Sequence, residues 1–207
     1  MFKKLALALA LSGAATSAQA ATFIFTDGQY GVQSGQTLVA DFNGADDALV
    51  SGNNFKFLTG SSGEGAQPDP GDATRYLSIL GGGHADISLG QAASFGLDVG
   101  SLDSYNTLTL LFADGTSQDI SGDDIFGGDA NGDQHSPNSN GRILVTADAG
   151  QTIVGLRLSS SSNSFEVDNL AVTPVPEPAT WAMMLAGFGL VGAGLRSRRR
   201  EATAQIA

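Results

Sequence analysis

"YNTLTLLFADGTSQDI", residues 105–120, decides the fold class. Two short runs suited to a pleated strand flank Asp114-Gly115, and an Asp-Gly pair supplies the positive φ angles that a tight hairpin turn needs. The stretch therefore predicts two antiparallel strands. Further along the chain the same reading recurs in "TFIF", "TLVADF", "RYLSIL", "HADISL", "SFGLDV", "RILVTA", "TIVGLRL" and "SFEVDNLAV". These segments are short, rich in β-branched or aromatic residues and spaced as in an all-β sandwich. Val154, Leu156 and Leu158 fall on one face of their strand, and Phe165 and Val167 repeat that pattern on the final one. No segment has sustained helical periodicity and no internal repeat is evident. The expectation is one antiparallel β-sandwich over residues 21–173.

Composition agrees. Of 207 residues, 42% are hydrophobic and 15% charged, with 28 glycines. That is globular composition with a surplus of the residues that make tight turns. Residues 21–175 hold four basic residues (Lys56, Arg75, Arg142, Arg157) against nineteen acidic ones, so 4 − 19 gives a net charge of −15. Such a surface repels phosphate backbones, which excludes nucleic acid as a partner. With no cysteine, the domain has to fold on its core alone, which about 150 residues can do. "TGSSGEGAQPDPGD", residues 59–72, and "SGDDIFGGDANGDQHSPNSNG" read as long surface loops.

The two ends read as addresses. "MFKKLALALALSGAATSAQA" has Lys3 and Lys4, an apolar run and then Ala18-Gln19-Ala20. Small residues at −3 and −1 behind a short apolar core are what signal peptidase and the secretion machinery require. Residues 1–20 are thus expected to be a signal peptide cleaved after Ala20. At the other end, the seventeen residues from Ala179 to Leu195 carry no charge. As a helix this segment reaches about 25 Å, the short limit of a bilayer span. Trp181 suits the interface, and Arg196, Arg198, Arg199 and Arg200 form a stop-transfer cluster. Pro176 and Pro178 hold Glu177 in an extended segment just outside the membrane. That arrangement suits recognition by a membrane-embedded protease, and equally suits a plain stalk before a permanent anchor.

"VPEPATWAMMLAGFGLVGAGLRSRRR" resembles the PEP-CTERM sorting signal, in its PEPxxWA form, of exported proteins of Gram-negative bacteria. Pro176, Glu177, Pro178, Trp181 and Ala182 carry the motif, and the resemblance covers residues 174–200, leaving a cytosolic tail at 201–207. It implies processing by an exosortase after transient residence in the inner membrane, then a place at the cell surface or in the extracellular matrix, often alongside exopolysaccharide. "YLSILGGGHADISL", "FGLDVGSLDSYNTLTLLFADG" and "NSFEVDNLAV" resemble a jelly-roll-like ectodomain of PEP-CTERM surface proteins. The last is also similar to the closing strand of carbohydrate-binding jelly rolls.

Few residues suggest chemistry. Asp129, Asn131 and Asp133 in "DANGD" have the alternating oxygen spacing of a calcium loop, with Gly132 at the bend. Gln134 and Asn140 break the EF-hand pattern, and Asp123, Asp124 and Asp168 are the expected additional ligands. His84 begins a strand and His135 lies in the acidic loop. No G-x-S-x-G elbow accompanies them, and no pair of carboxylates stands out as a glycosidase pair. Sugar binding needs an aromatic platform with polar neighbours. "LDSYNT" offers Tyr105 between Asp103 and Asn106, a placement equally suited to a strand-entry turn. The reading is a non-enzymatic, structural or adhesive exported protein; a carbohydrate-binding module is the alternative, and a hydrolase the third.

Overall fold

The computed structural model describes residues 20–69, 71–136, 139–175, 182–192 and 196. Strands run over β1 (Ala21–Asp27), β2 (Thr37–Ala40), β3 (Val50–Leu58), β4 (Tyr76–Gly100), β5 (Asn106–Phe112), β6 (Ser117–Ser121), β7 (Gly141–Ala147), β8 (Ile153–Ser160) and β9 (Phe165–Pro174). A five-residue helix, α1 (Gly122–Phe126), follows β6. The strand pairs are all antiparallel.

The 25 residues of β4 organise the molecule. Its first half lies between β3 and β8, and the layer continues through β5 to β6. Its second half lies between β7 and β9, which carry β1 and β2 at the layer's two edges. One strand thus belongs to both layers, and their inner faces share a single core. Phe95, Leu97, Ile143 and Val145 from one layer and Ile87, Leu108, Leu110 and Leu156 from the other are buried in it. β9 also pairs with Leu77–Ile79 at the start of β4, which joins the layers at one corner. This is the expected β-sandwich.

Three details differ from the sequence reading. "RYLSIL", "HADISL" and "SFGLDV" are one strand, because the glycines between them make bends and not turns. The register shifts between Ser88 and Ala92, where Gly90 has φ +69. A β-bulge absorbs such an extra residue while pairing resumes beyond it. Strand β3 was not expected: it is an edge strand, mostly exposed, built of turn-type residues such as Gly52, Asn53 and Asn54. The loop after β6 opens with α1, where Ser121 and Asp124 form a reciprocal capping box. Leu156, Leu158, Phe165 and Val167 are fully buried as expected, whereas Val154 is half-buried.

The sandwich is closed at its open side by contacts between the outermost strands. Phe126 of α1 packs edge-to-face on Phe25 of β1 at 6.4 Å, and Ile125 is buried beside it. Gln118 of β6 reaches across to the start of β1, where its Oε1 accepts the N–H groups of Ala20 at 2.9 Å and Ala21 at 3.0 Å.

Residues 182–192 are helical, and Met183, Leu185, Phe188, Leu190 and Val191 stand exposed on that helix. No helix among the described residues is long and apolar enough to cross a membrane. Residues 1–19 with Ala18, the motif residues Pro176, Glu177, Pro178 and Trp181, and Arg198, Arg199, Arg200 and the 201–207 tail lie outside the described residues. Ala20, Ala182 and Arg196 are within them.

Candidate functional site

A polar hollow of about 230 Å³ opens at one end of the sandwich. Four segments meet there: the 59–69 loop, the 101–105 turn after β4, the 131–134 turn, and the β8–β9 turn that leads to Glu166. Buried polar side chains tie these segments together. Glu166 is 1% exposed. Its carboxylate accepts the Ala66 N–H at 3.1 Å, the Ser101 hydroxyl at 2.7 Å and the Ser164 hydroxyl. Asn106 accepts from the Asp103 N–H and donates to the Ser160 hydroxyl and the Ser164 carbonyl. Asn140 accepts from the Ser101 N–H and donates to the carbonyls of Asp133 and Ser136. Each amide therefore holds one loop to another, and a satisfied buried network of this kind fixes a single loop arrangement.

Tyr105, the expected sugar contact, does line this hollow. Its hydroxyl donates to the Asn163 carbonyl at 2.9 Å. Burial, the contact with Asp103 and the charge of Glu166 hold the phenol protonated far above its usual range. Burial likewise raises the Asp103 carboxyl, against the opposing contact with Tyr105. It raises Glu166 too, despite the hydrogen bonds from Ser164, Ser101 and Ala66. Two carboxylates thus share one hollow, but three donors enclose Glu166. That carboxylate is the organiser of the loops. The other tyrosines also act as tethers for the 59–69 loop: Tyr76, fully buried, donates to Gly60 and Tyr30 to Asp69.

The "DANGD" turn forms part of the wall. Asn131 pairs with Asp103 in an isolated bridge, and the Gly132 N–H donates to the Leu102 carbonyl at 3.0 Å. A Cβ at Gly132 would come 2.3 Å from Asp103 Oδ2, and the residue also has φ +66. The left-handed backbone favours glycine here, and any side chain would also have to displace the Asp103 carboxylate. Asn131 Oδ1 accepts the Asp133 N–H and the Ser139 hydroxyl, and Asp133 Oδ1 accepts the N–H groups of His135 and Ser136. These are the local turn bonds that short polar side chains make. Asp129 is exposed, Asp123 accepts the Ala130 N–H, and Asp124 caps α1. Asn140, at the EF-hand glutamate position, is the buried loop tie described above. No group of three or more His, Cys, Asp or Glu among the described residues is placed to hold a metal ion. His135 is exposed, 3.5 Å from Asp69, and His84 lies on β4, 3.7 Å from Asp86.

Asp168, the remaining expected ligand, belongs to a different place. It faces Asp98 across β9 and β4, under the 28–36 segment. There Asp98 is paired with Arg142, and its Oδ2 accepts the Gly31 N–H at 2.8 Å and an Asn169 amide proton at 3.0 Å. Arg142 also donates to Gln36 and to the Asn169 carbonyl. Burial pushes the Asp168 carboxyl up to about 7, opposed by the Asn169 N–H and assisted by the charges of Asp72, Asp98 and Asp41.

The outer face of the layer formed by β3, the first half of β4, β8, β5 and β6 is polar. Registers align Ser51, Asp86, Arg157, Thr109 and Asp119 in one row across five strands. Arg157 grips Asp86 with two bonds, at 2.6 and 2.9 Å, and Thr109 donates to Asp119.

No protein of curated function matches the sequence. Among solved structures, the chain is similar at 13% identity to the family 11 carbohydrate-binding module of a Clostridium thermocellum cellulosomal cellulase. That alignment covers 70% of this chain and 98% of that one with a TM-score of 0.33. An exo-β-agarase aligns at 12% identity over 68% of this chain and 25% of its own, with a TM-score of 0.30. Carbohydrate-binding modules of the β-sandwich superfamily align at 14% identity over 63% and 60%, with a TM-score of 0.29. Residues 174–200 match the family model of the PEP-CTERM protein-sorting motif.

Proposed function

We propose that the protein is exported behind a signal peptide at 1–20, handed by its 174–200 segment to an exosortase, and displayed at the cell surface or in the extracellular matrix as a structural or adhesive β-sandwich. The observation that carries this reading is the sorting motif, which follows directly on the last strand, since β9 ends at Pro174. The exposed apolar side chains of 182–192 support a transient stay in the inner membrane, with Arg196 to Arg200 retained on its inner side. In this reading the ectodomain is structural, and the occupation of Glu166, the most buried carboxylate of the hollow, with loop donors supports a role in holding the loops. Intact-mass spectrometry of protein from the native host, with and without its exosortase, tests the proposal. The wild-type host should yield a species lacking residues 1–20 and the segment after the motif, and the deletion an uncut species in the inner membrane. An identical mass and location in both hosts would sink it.

Carbohydrate recognition is the second reading. The hollow beside Tyr105, with Asp103 and Asn163 on its wall, supports it, because hydroxyl-rich ligands need a ring to lie on and polar groups at the edge. Retention of the protein on matrix exopolysaccharide, lost in Tyr105→Ala, would favour it.

A further inference from the structure

Cleavage after Ala20 creates a charged group at a defined point of the fold. Hydrolysis of the Ala20–Ala21 peptide bond consumes one water, sends the carboxylate away on Ala20 and leaves an ammonium on Ala21. Ala21 is the first residue of β1 and is fully buried. Its nitrogen already lies 3.0 Å from Gln118 Oε1, and Gln118 Nε2 donates to the Ala21 carbonyl at 3.3 Å. The side chain of Gln118 thus clamps this residue from both sides.

The surroundings have one sign of charge. A hollow of about 700 Å³ borders Ala20 and Gln118, and its titratable lining residues are Asp114, Asp119, Asp124 and Asp148. They come from the β5–β6 turn, β6, α1 and the β7–β8 turn. In the uncut chain the Ala20 N–H shares Gln118 Oε1, and the Asp148 N–H donates to the Ala20 carbonyl at 3.0 Å. Removal of Ala20 vacates both bonds while the ammonium gains two protons that need acceptors.

We infer that Gln118 forms a seat for the α-ammonium of Ala21 at the rim of this acidic hollow, so that signal-peptide cleavage leaves the new terminus held at the edge of the sandwich. The inference rests on the cleavage site proposed above. Opposite charge nearby favours the protonated amine, and the clamp keeps it from reagents. The mature terminus is consequently protected from acylation and from aminopeptidases.

Chemistry of the sequence makes the test simple. Lys56 is the only lysine after residue 20, so a protein beginning at Ala21 has two amines, and the exposed Lys56 serves as the internal reference. Mature protein recovered from the host is pulsed with a reductive-methylation reagent at neutral pH, folded and in urea, and both amines are read by peptide mass. Ala21 should react at least ~10-fold more slowly when folded than in urea, as for a group reached only by local opening, while Lys56 reacts alike in both. Gln118→Leu should remove that protection and Gln118→Glu should keep it; unchanged Lys56 reactivity and melting would show that the variants fold. Equal Ala21 rates in folded protein and urea would overturn the seat and leave the cleavage site standing. A mature mass that does not begin at Ala21 would overturn the cleavage site and the seat with it.

Discussion

Glu166 and Asp168 stand two residues apart on one strand and are both almost fully buried, yet their surroundings are opposite. Glu166 is wrapped by three donors drawn from three loops. Asp168 has the Asn169 N–H beside it and the carboxylates of Asp98, Asp72 and Asp41 around it. A buried carboxylate surrounded by donors fixes structure, whereas one surrounded by like charge is a site of stored repulsion. The pair therefore separates what burial does from what partners do.

Arg142 provides the strongest way to break the contrast, because it is the countercharge of Asp98, which faces Asp168 across β4 and β9. Arg142→Met leaves Asp98 buried and unpaired beside Asp168 and should cost about 3–5 kcal/mol in denaturant unfolding. Glu166→Ala comes next: it strands the Ala66, Ser101 and Ser164 donors and should cost about 2–3 kcal/mol. It should also release the 59–69 loop to limited proteolysis.

The third test uses pH. The Asp168 carboxyl is raised from 3.8 to about 7 in the folded protein. Between those values folding takes up a proton, so its contribution to stability falls as pH rises, and above about 7 the full penalty remains. Asp168→Asn should therefore raise the melting temperature at pH 8 more than at pH 5. Equal shifts at both would show that the residue is not protonated on folding. The smallest effect belongs to a pair outside both environments: Asp86→Asn, which breaks the half-exposed bonds to Arg157, should change stability by less than about 1 kcal/mol.

Much of the sandwich was legible because strands alternate and because Asp114-Gly115 has one main use. The sequence is poorer where one residue type serves two purposes. Glycines at 81–83 and 90 read as turns but are bends inside β4, and the polar run in β3 reads as loop because an edge strand needs little apolar surface. The hollow was half legible. Tyr105 with Asp103 and Asn106 marked it, since a ring between two polar groups is visible in sequence. Glu166 was missed, although a lone acid between Phe165 and Val167 is a signal: an alternating strand places it on the outer face, where only an overlying loop can bury it. "DANGD" has calcium spacing, but Asn131 and Asp133 use their oxygens on their own turn and Gly132 makes room for Asp103.

The position of β9 has a mechanical consequence. Its residues are bonded to β4 from Ala92 to Gly100 and, on the opposite edge, to β2 and to the start of β4. The strand ends at Pro174, where the sorting segment begins. Tension applied at Pro174 along the axis of β9 would load the flanking ladders in shear, all bonds together, instead of peeling them one by one. Such a pull would pass straight into the paired strands β4 and β9.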